Sequence, residues 1–175
     1  MRQVYPLPVS KAFTDEEAGE DAPLVPARAP LPPGVPNYVT PRGLELLCEE
    51  LAALQLERAR ADALANQKQR GRALGVLTQR RVALEQRIAT AEVVAASDES
   101  LERVRFGAHV LVFGADGERS YEIVGVDEAD PAHGKLAFTA PLARALLGRA
   151  AGDSVRVRTP RGLEDVEIRA IRSRG

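Results

Sequence analysis

The sequence has no tryptophan, one cysteine, one methionine and two histidines in 175 residues. Aromatic residues make up 4% of it, so neither an aromatic-rich core nor a surface for stacking nucleic-acid bases is expected. Cys48 alone cannot close an internal disulfide, and His109 and His133 lie too far apart in the chain to build a zinc site. No run approaches the ~18 apolar residues of a membrane span. The opening stretch "MRQVYPLPVSKAF" lacks the apolar centre of a signal peptide. Charge of one sign is also missing. The 24 basic and 25 acidic residues leave a net charge of -1, which excludes a polybasic role for the chain as a whole. What remains, 45% hydrophobic and 28% charged, is the composition of a soluble globular protein, expected in the cytoplasm and away from membranes.

Eight of the twelve prolines fall in the first 36 residues, around an acidic cluster of Asp15, Glu16, Glu17, Glu20 and Asp21. Proline removes backbone donors and fixes φ, so residues 1–36 are expected to form a disordered tail. The pattern changes at Thr40, a good helix cap followed by Pro41 at the first helical position. Glu45, Glu49 and Glu50 come early, where the helix dipole favours acids. Leu44, Leu47, Leu51 and Leu54 recur at three- and four-residue spacing, and Leu74, Leu77, Leu84 and Ile88 do so again. This predicts helices over 41–68 and 73–96, turning near Gly71 and packed antiparallel as a coiled coil over 37–96. Arg58 and Arg81 interrupt the apolar seam and are expected to reach Glu57 and Glu85, leaving the distal half of the hairpin the less stable.

Past Ala96 the period falls to two. Strands are predicted over 108–114, 119–128, 135–141, 153–160 and 164–171, each bounded by Gly, Asp or Pro. "PLARALLG" (141–148) reads as a short helix ended by Gly148. The fold class is α+β: a helical hairpin, then a small, mostly antiparallel sheet domain over 97–175 carrying one helix.

The near-neutral total hides a basic segment. Residues 58–81 hold Arg58, Arg60, Lys68, Arg70, Arg72, Arg80 and Arg81 against the single acid Asp62. Such a set repels itself unless it meets an anion, so the tip of the hairpin, with Lys68, Arg70, Arg72, Arg80 and Arg81, is expected to contact phosphate or an acidic protein surface. No catalytic set appears. His109 alternates with apolar neighbours as an outward-facing strand residue, and Cys48 reads as a small packing residue. Asp127, Glu128 and Asp130 read as turn residues, and no metal site is expected there. The glycines form no phosphate-binding loop. On its residues alone the chain is a binding protein without a cofactor, not an enzyme.

"VRFGAHVLV", "YEIVGVDEAD", "PLARALLGRAAGDSVRV" and "TPRGLEDVEI", in that order, resemble the C-terminal domain of the GreA/GreB transcript cleavage factors. "NYVTPRGLELLCEEL" resembles the start of their N-terminal coiled coil, so the resemblance covers roughly 37–172. It implies an FKBP-like sheet domain docked on the rim of the secondary channel of bacterial RNA polymerase, here through Thr139, Pro141, Leu142 and Arg144. The coiled coil would then enter the channel. In that family the tip carries an acidic motif, typically Asp-x-x-Glu-Asn, whose carboxylates help hold a magnesium ion that activates water to cut backtracked RNA. Here no acid lies between Asp62 and Glu85. Asp62 is the one candidate for a catalytic carboxylate, expected more than a turn below the tip. The hairpin is also shorter than a cleavage factor's by about a dozen residues, or about 10 Å of reach. The resemblance and these departures together predict a monomeric polymerase-binding regulator, similar in its short hairpin to the Rnk proteins, that contacts RNA or DNA without efficient cleavage stimulation. Two alternatives stand beside it: a genuine cleavage-stimulating elongation factor, and an FKBP-like peptidyl-prolyl isomerase.

Overall fold

The computed structural model describes residue 28 and residues 31–95, 102–159 and 162–173. The tail expected over 1–36 lies outside these up to residue 27, as does the boundary near residue 96.

Two helices form the hairpin, α1 (Pro41–Asp62) and α2 (Gln67–Ala89). Thr40 caps α1 as expected, its side chain accepting from the Gly43 amide, and Pro41 opens the first turn. The glutamates do not serve the dipole, because the first turn holds no acid. Instead Glu45 and Glu49 take Arg42 at 3.0 and 2.9 Å. Val39, Leu47, Leu54 and Leu84 are buried at the centre of the seam, with Leu44, Leu51, Leu77 and Ile88 against them. Beyond Leu54 and Leu77 the packing thins to Ala61. Of the two seam arginines, Arg81 reaches Glu85 at 2.7 Å. Glu57 is taken across the hairpin by Arg80 at 3.1 Å, leaving Arg58 exposed.

The hairpin turns earlier than the sequence predicts, over 63–66 rather than near 70. Asn66 decides it: its side chain accepts from the Gln69 amide at 3.0 Å, a strong cap that starts α2 at Gln67 and leaves Gly71 inside the helix. At the other end α2 stops at Ala89. There β1 (Asn37–Val39) and β2 (Ala91–Val93) pair in parallel, joining the start of α1 to the end of α2. Strands of three residues leave no periodicity to read, and the helix expected over 73–96 ran through β2.

The sheet holds β3 (His109–Gly114), β4 (Gly117–Val124), β5 (Lys135–Ala137), β6 (Ser154–Thr159) and β7 (Gly162–Arg172), in the order β5-β4-β3-β7-β6. All neighbours are antiparallel except β4 with β5. Alternation does its work: Val110, Val112, Val155, Val157, Val166 and Ile168 all enter one core, closed by Ala143 and Leu146 of α3 (Pro141–Leu146). Gly148, at φ 78°, ends α3 in the left-handed conformation that favours glycine. β4 ends four residues short of prediction. At Gly125 any Cβ would stand 2.7 Å from the Tyr38 carbonyl oxygen, and the chain turns away into 126–128.

Tyr38 crosses from the hairpin into the sheet, its ring 5.8 Å from Phe106 and 5.7 Å from Phe138. Two exposed side-chain pairs, Arg156 with Asp165 on the sheet and His133 with Asp130 in the turn before β5, bear on the pH dependence. The hydrogen bond from Arg156 holds the Asp165 carboxyl below its ordinary value, and that with His133 does the same for Asp130. Carboxyls shifted downward stabilise the fold above their unfolded-state values and lose that effect as pH falls through the folded ones. The contribution of these two pairs is therefore expected to fade below about pH 4. In an NMR titration, Arg156→Ala should move the Asp165 midpoint upward and leave Asp130 in place. Hydrogen exchange should also divide the hairpin, with amides over 56–62 and 70–76 exchanging faster than those around Leu47 and Leu84. Leu84→Ala, at a fully buried position, should cost about 2–5 kcal/mol in denaturant unfolding.

Candidate functional site

Two regions hold the predicted residues, the hairpin tip and the start of α3. Asp62 is the last residue of α1 and stands at the turn itself, not more than a turn below it. The Asn66 cap moves the turn toward Asp62. Lys68 and Arg70 fall in the first turn of α2 and Arg72 in the next. Arg70 Nη1 donates to the Leu64 carbonyl at 3.1 Å and braces the turn. Arg80 and Arg81 do not join them. Both lie about 20 Å along α2 from its start, paired with Glu57 and Glu85. Arg60, in the last turn of α1 and exposed, takes their place, with Arg58 about half a turn further back.

The tip is thus Asp62 among Arg58, Arg60, Lys68, Arg70 and Arg72. The α1 cations suit the negative end of that helix. Lys68 and Arg70 do not: they stand at the positive end of α2, which has no acid in its first turn. Their repulsion is tolerated because the side chains are largely in water, where each such interaction is worth a few tenths of a kcal/mol. An anion at the tip would relieve it.

With the turn placed, a spacing hidden in the sequence becomes legible. Asp62-Ala63-Leu64-Ala65-Asn66 carries the aspartate and asparagine of the Asp-x-x-Glu-Asn pattern, with Ala65 where the glutamate would stand. Hard Mg²⁺ takes oxygen ligands, and one carboxylate makes a weaker seat than two. Among the described residues, no three His, Cys, Asp or Glu side chains come together as a metal site.

The second region is a cavity of about 540 Å³ between the sheet and the start of α3. Val112, Tyr121, Val157 and Val166 come from the sheet, and Pro141 and Leu142 from the helix. Asp116, Arg119, Arg158 and Glu164 add charge to its wall. Of the four residues singled out for docking, Pro141 and Leu142 line it, whereas Thr139 and Arg144 do not. Tyr121 is the one aromatic in its lining. Phe106 and Phe138 turn instead toward Tyr38, and Phe113 lies on the outside under Arg169, 5.2 Å from the ring centre. The aromatic-lined proline pocket that an isomerase needs is therefore not formed by these residues.

Two smaller expectations meet different outcomes. His109 does face outward, 4.0 Å from Glu122. Cys48 is exposed on α1 rather than packed, because the seam at that height is filled by Leu47 and Leu51.

The described residues thus form a helical hairpin with a cation-rich tip and a sheet domain with a cavity beside α3. Residues 98–173 match the family model described as "Transcription elongation factor, GreA/GreB, C-term". The chain is 36% identical over 150 residues to the transcription elongation factor GreA of Brucella canis, covering 77% of this chain and 96% of that one. It is 40% identical over 114 residues to GreA of Syntrophotalea carbinolica, covering 64% and 68%. Among solved structures it is similar to the GreA factor homolog Gfh1 of Thermus thermophilus, at 20% identity over 79% of this chain and all of that one, with a TM-score of 0.38. That score is too low to bear on the arrangement of the two halves. The sequence identities do decide the matter: the chain belongs to the GreA/GreB family of transcription elongation factors.

The Asn66 cap makes one prediction for the tip. Asn66→Ala should cost about 1 kcal/mol of stability. It should speed hydrogen exchange over 67–72 while leaving the sheet unchanged, and equal exchange in both proteins would show that Asn66 does not set the turn.

Proposed function

We propose that this protein binds RNA polymerase through its sheet and projects the hairpin into the secondary channel, altering transcription without efficiently stimulating RNA cleavage. The observation that carries this reading is the composition of the tip: one carboxylate, Asp62, among five cations. Two-metal hydrolysis requires ligands that neutralise the ion, and the Ala65 methyl offers none. Arms of 22 and 23 residues give the hairpin a length of about 33 Å. Pro141, Leu142 and the cavity beside them form the docking surface in this reading, with Thr139 and Arg144 flanking it. The tip then meets acidic channel walls or RNA phosphate, an attraction that weakens with salt. The leucine seam is used up between the two arms, which fits a monomer. The chain itself catalyses nothing; at most it stimulates the cleavage activity of the polymerase.

One observation favours the second reading, a genuine cleavage-stimulating factor. Asp62 and Asn66 do stand at the turn, at the family spacing. The two readings separate in a stalled-complex cleavage assay run beside a binding titration. The expected result is binding without shortened transcripts, and several-fold weaker binding for Lys68→Ala/Arg70→Ala/Arg72→Ala. Transcript shortening above the polymerase's own rate, lost in Asp62→Ala, would establish the second reading instead. Binding indifferent to salt and to the triple change would remove the tip from the mechanism.

A further inference from the structure

Asp127 and Glu128 read in sequence as turn residues, yet Glu128 is buried, Asp127 is half-buried, and both hold groups from the hairpin. Glu128, with 1% of its side chain exposed, accepts a hydrogen bond from the Thr40 hydroxyl, the cap of α1. Its other oxygen takes Lys135 Nζ at 2.9 Å within the sheet. Asp127, with 9% of its side chain exposed, takes Arg87 Nε of α2 at 3.3 Å. Asp127 also takes Arg28, whose second nitrogen reaches Glu50 of α1.

One two-residue turn of the sheet thus grips both arms of the hairpin and the segment that precedes it. The grip is fitted closely: a Cβ on Gly43 would stand 3.0 Å from Glu128 Oε2 and 3.3 Å from Thr40 Oγ1. Thr40 Oγ1 meanwhile accepts from the Gly43 amide at 2.8 Å, so cap, carboxylate and glycine form one chain of contacts. Buried charges cost solvation unless they are paired. A rotation of the hairpin on the sheet would separate Asp127 from Arg87 and Glu128 from Thr40 together, parting the nearly buried Arg87–Asp127 pair and costing buried Glu128 the Thr40 donor while Lys135 stays with it. Exposed pairs elsewhere would be re-solvated at little cost.

We infer that Asp127 and Glu128 are positioning residues that fix the angle between hairpin and sheet, with Arg28 as a strap from the preceding segment. The inference about the angle needs no partner. Only its consequence, that the angle aims the tip once the sheet is docked, rests on the polymerase-binding reading.

The test is a distance measurement on the free, full-length protein. Spin labels at Ala65→Cys on the tip and Glu118→Cys on β4, in a Cys48→Ser background, report the angle by pulsed dipolar spectroscopy. The expected result is one narrow distance distribution, broadened or split by Asp127→Asn/Glu128→Gln and by Arg28→Ala, and narrowed again by Asp127→Glu. Arg156→Ala, which breaks an exposed ion pair within the sheet, should leave it unchanged. A folded Asp127→Asn/Glu128→Gln variant with the parent distribution would overturn the inference. If that variant does not fold, Arg28→Ala decides, and an unchanged distribution there overturns it equally. A polymerase titration run separately keeps the two ideas apart: failure to bind removes the functional reading and leaves the measured angle standing.

Discussion

An extended strand presents successive side chains to opposite sides, and residues 37–40 use that alternation to join the two halves of the molecule. Asn37 turns into the hairpin and donates to the Arg87 carbonyl at 2.7 Å. Tyr38 faces the other way, into the rings of Phe106 and Phe138. Val39 returns to the leucine seam, and Thr40 caps α1 while it holds Glu128. Asn37, Val39 and Thr40 are all buried. The seam, the β1–β2 pair and the aromatic trio all share these few residues, so none of them can shift alone.

The parts of the fold that were legible in the sequence are those with a sustained period. The leucines of α1 and α2 and the alternating valines of β3, β6 and β7 each repeat often enough to name element and buried face. Thr40, Pro41, Pro141 and Gly148 carry their local geometry in their own chemistry. What escaped notice was set by single residues or by distant partners. Asn66 gave no more warning than any other asparagine, yet its cap moves the turn and with it Asp62. The three-residue strands β1 and β2 have no period, and their pairing depends on residues more than fifty positions apart. Arg80 looked like part of a basic tip because the sequence places charges on a line, whereas the hairpin folds that line back and sets Arg80 beside Glu57.

The same folding back sharpens the charge pattern. Counted along the chain, the basic segment runs from Arg58 to Arg81. In three dimensions its ends separate in role: Arg80 joins the arms through Glu57, Arg81 pairs with Glu85 along α2, and the other cations gather at one end around Asp62. Family membership and tip composition then point in different directions. The shared sequence defines a transcription elongation factor, while Ala65 stands where the Asp-x-x-Glu-Asn spacing would place a glutamate.

A hairpin about 33 Å long held only at its base is a lever. Its stiffness along the arms comes from helix packing, but its aim comes wholly from the joint. A rotation of about 10° at residues 37–40 would sweep the end of such an arm through about 6 Å, about the pitch of one helical turn. Angular play that would be harmless in a compact core is therefore magnified at the far end. This gives a mechanical reason for setting carboxylates at Asp127 and Glu128, where they add directional contacts to the packing at the joint.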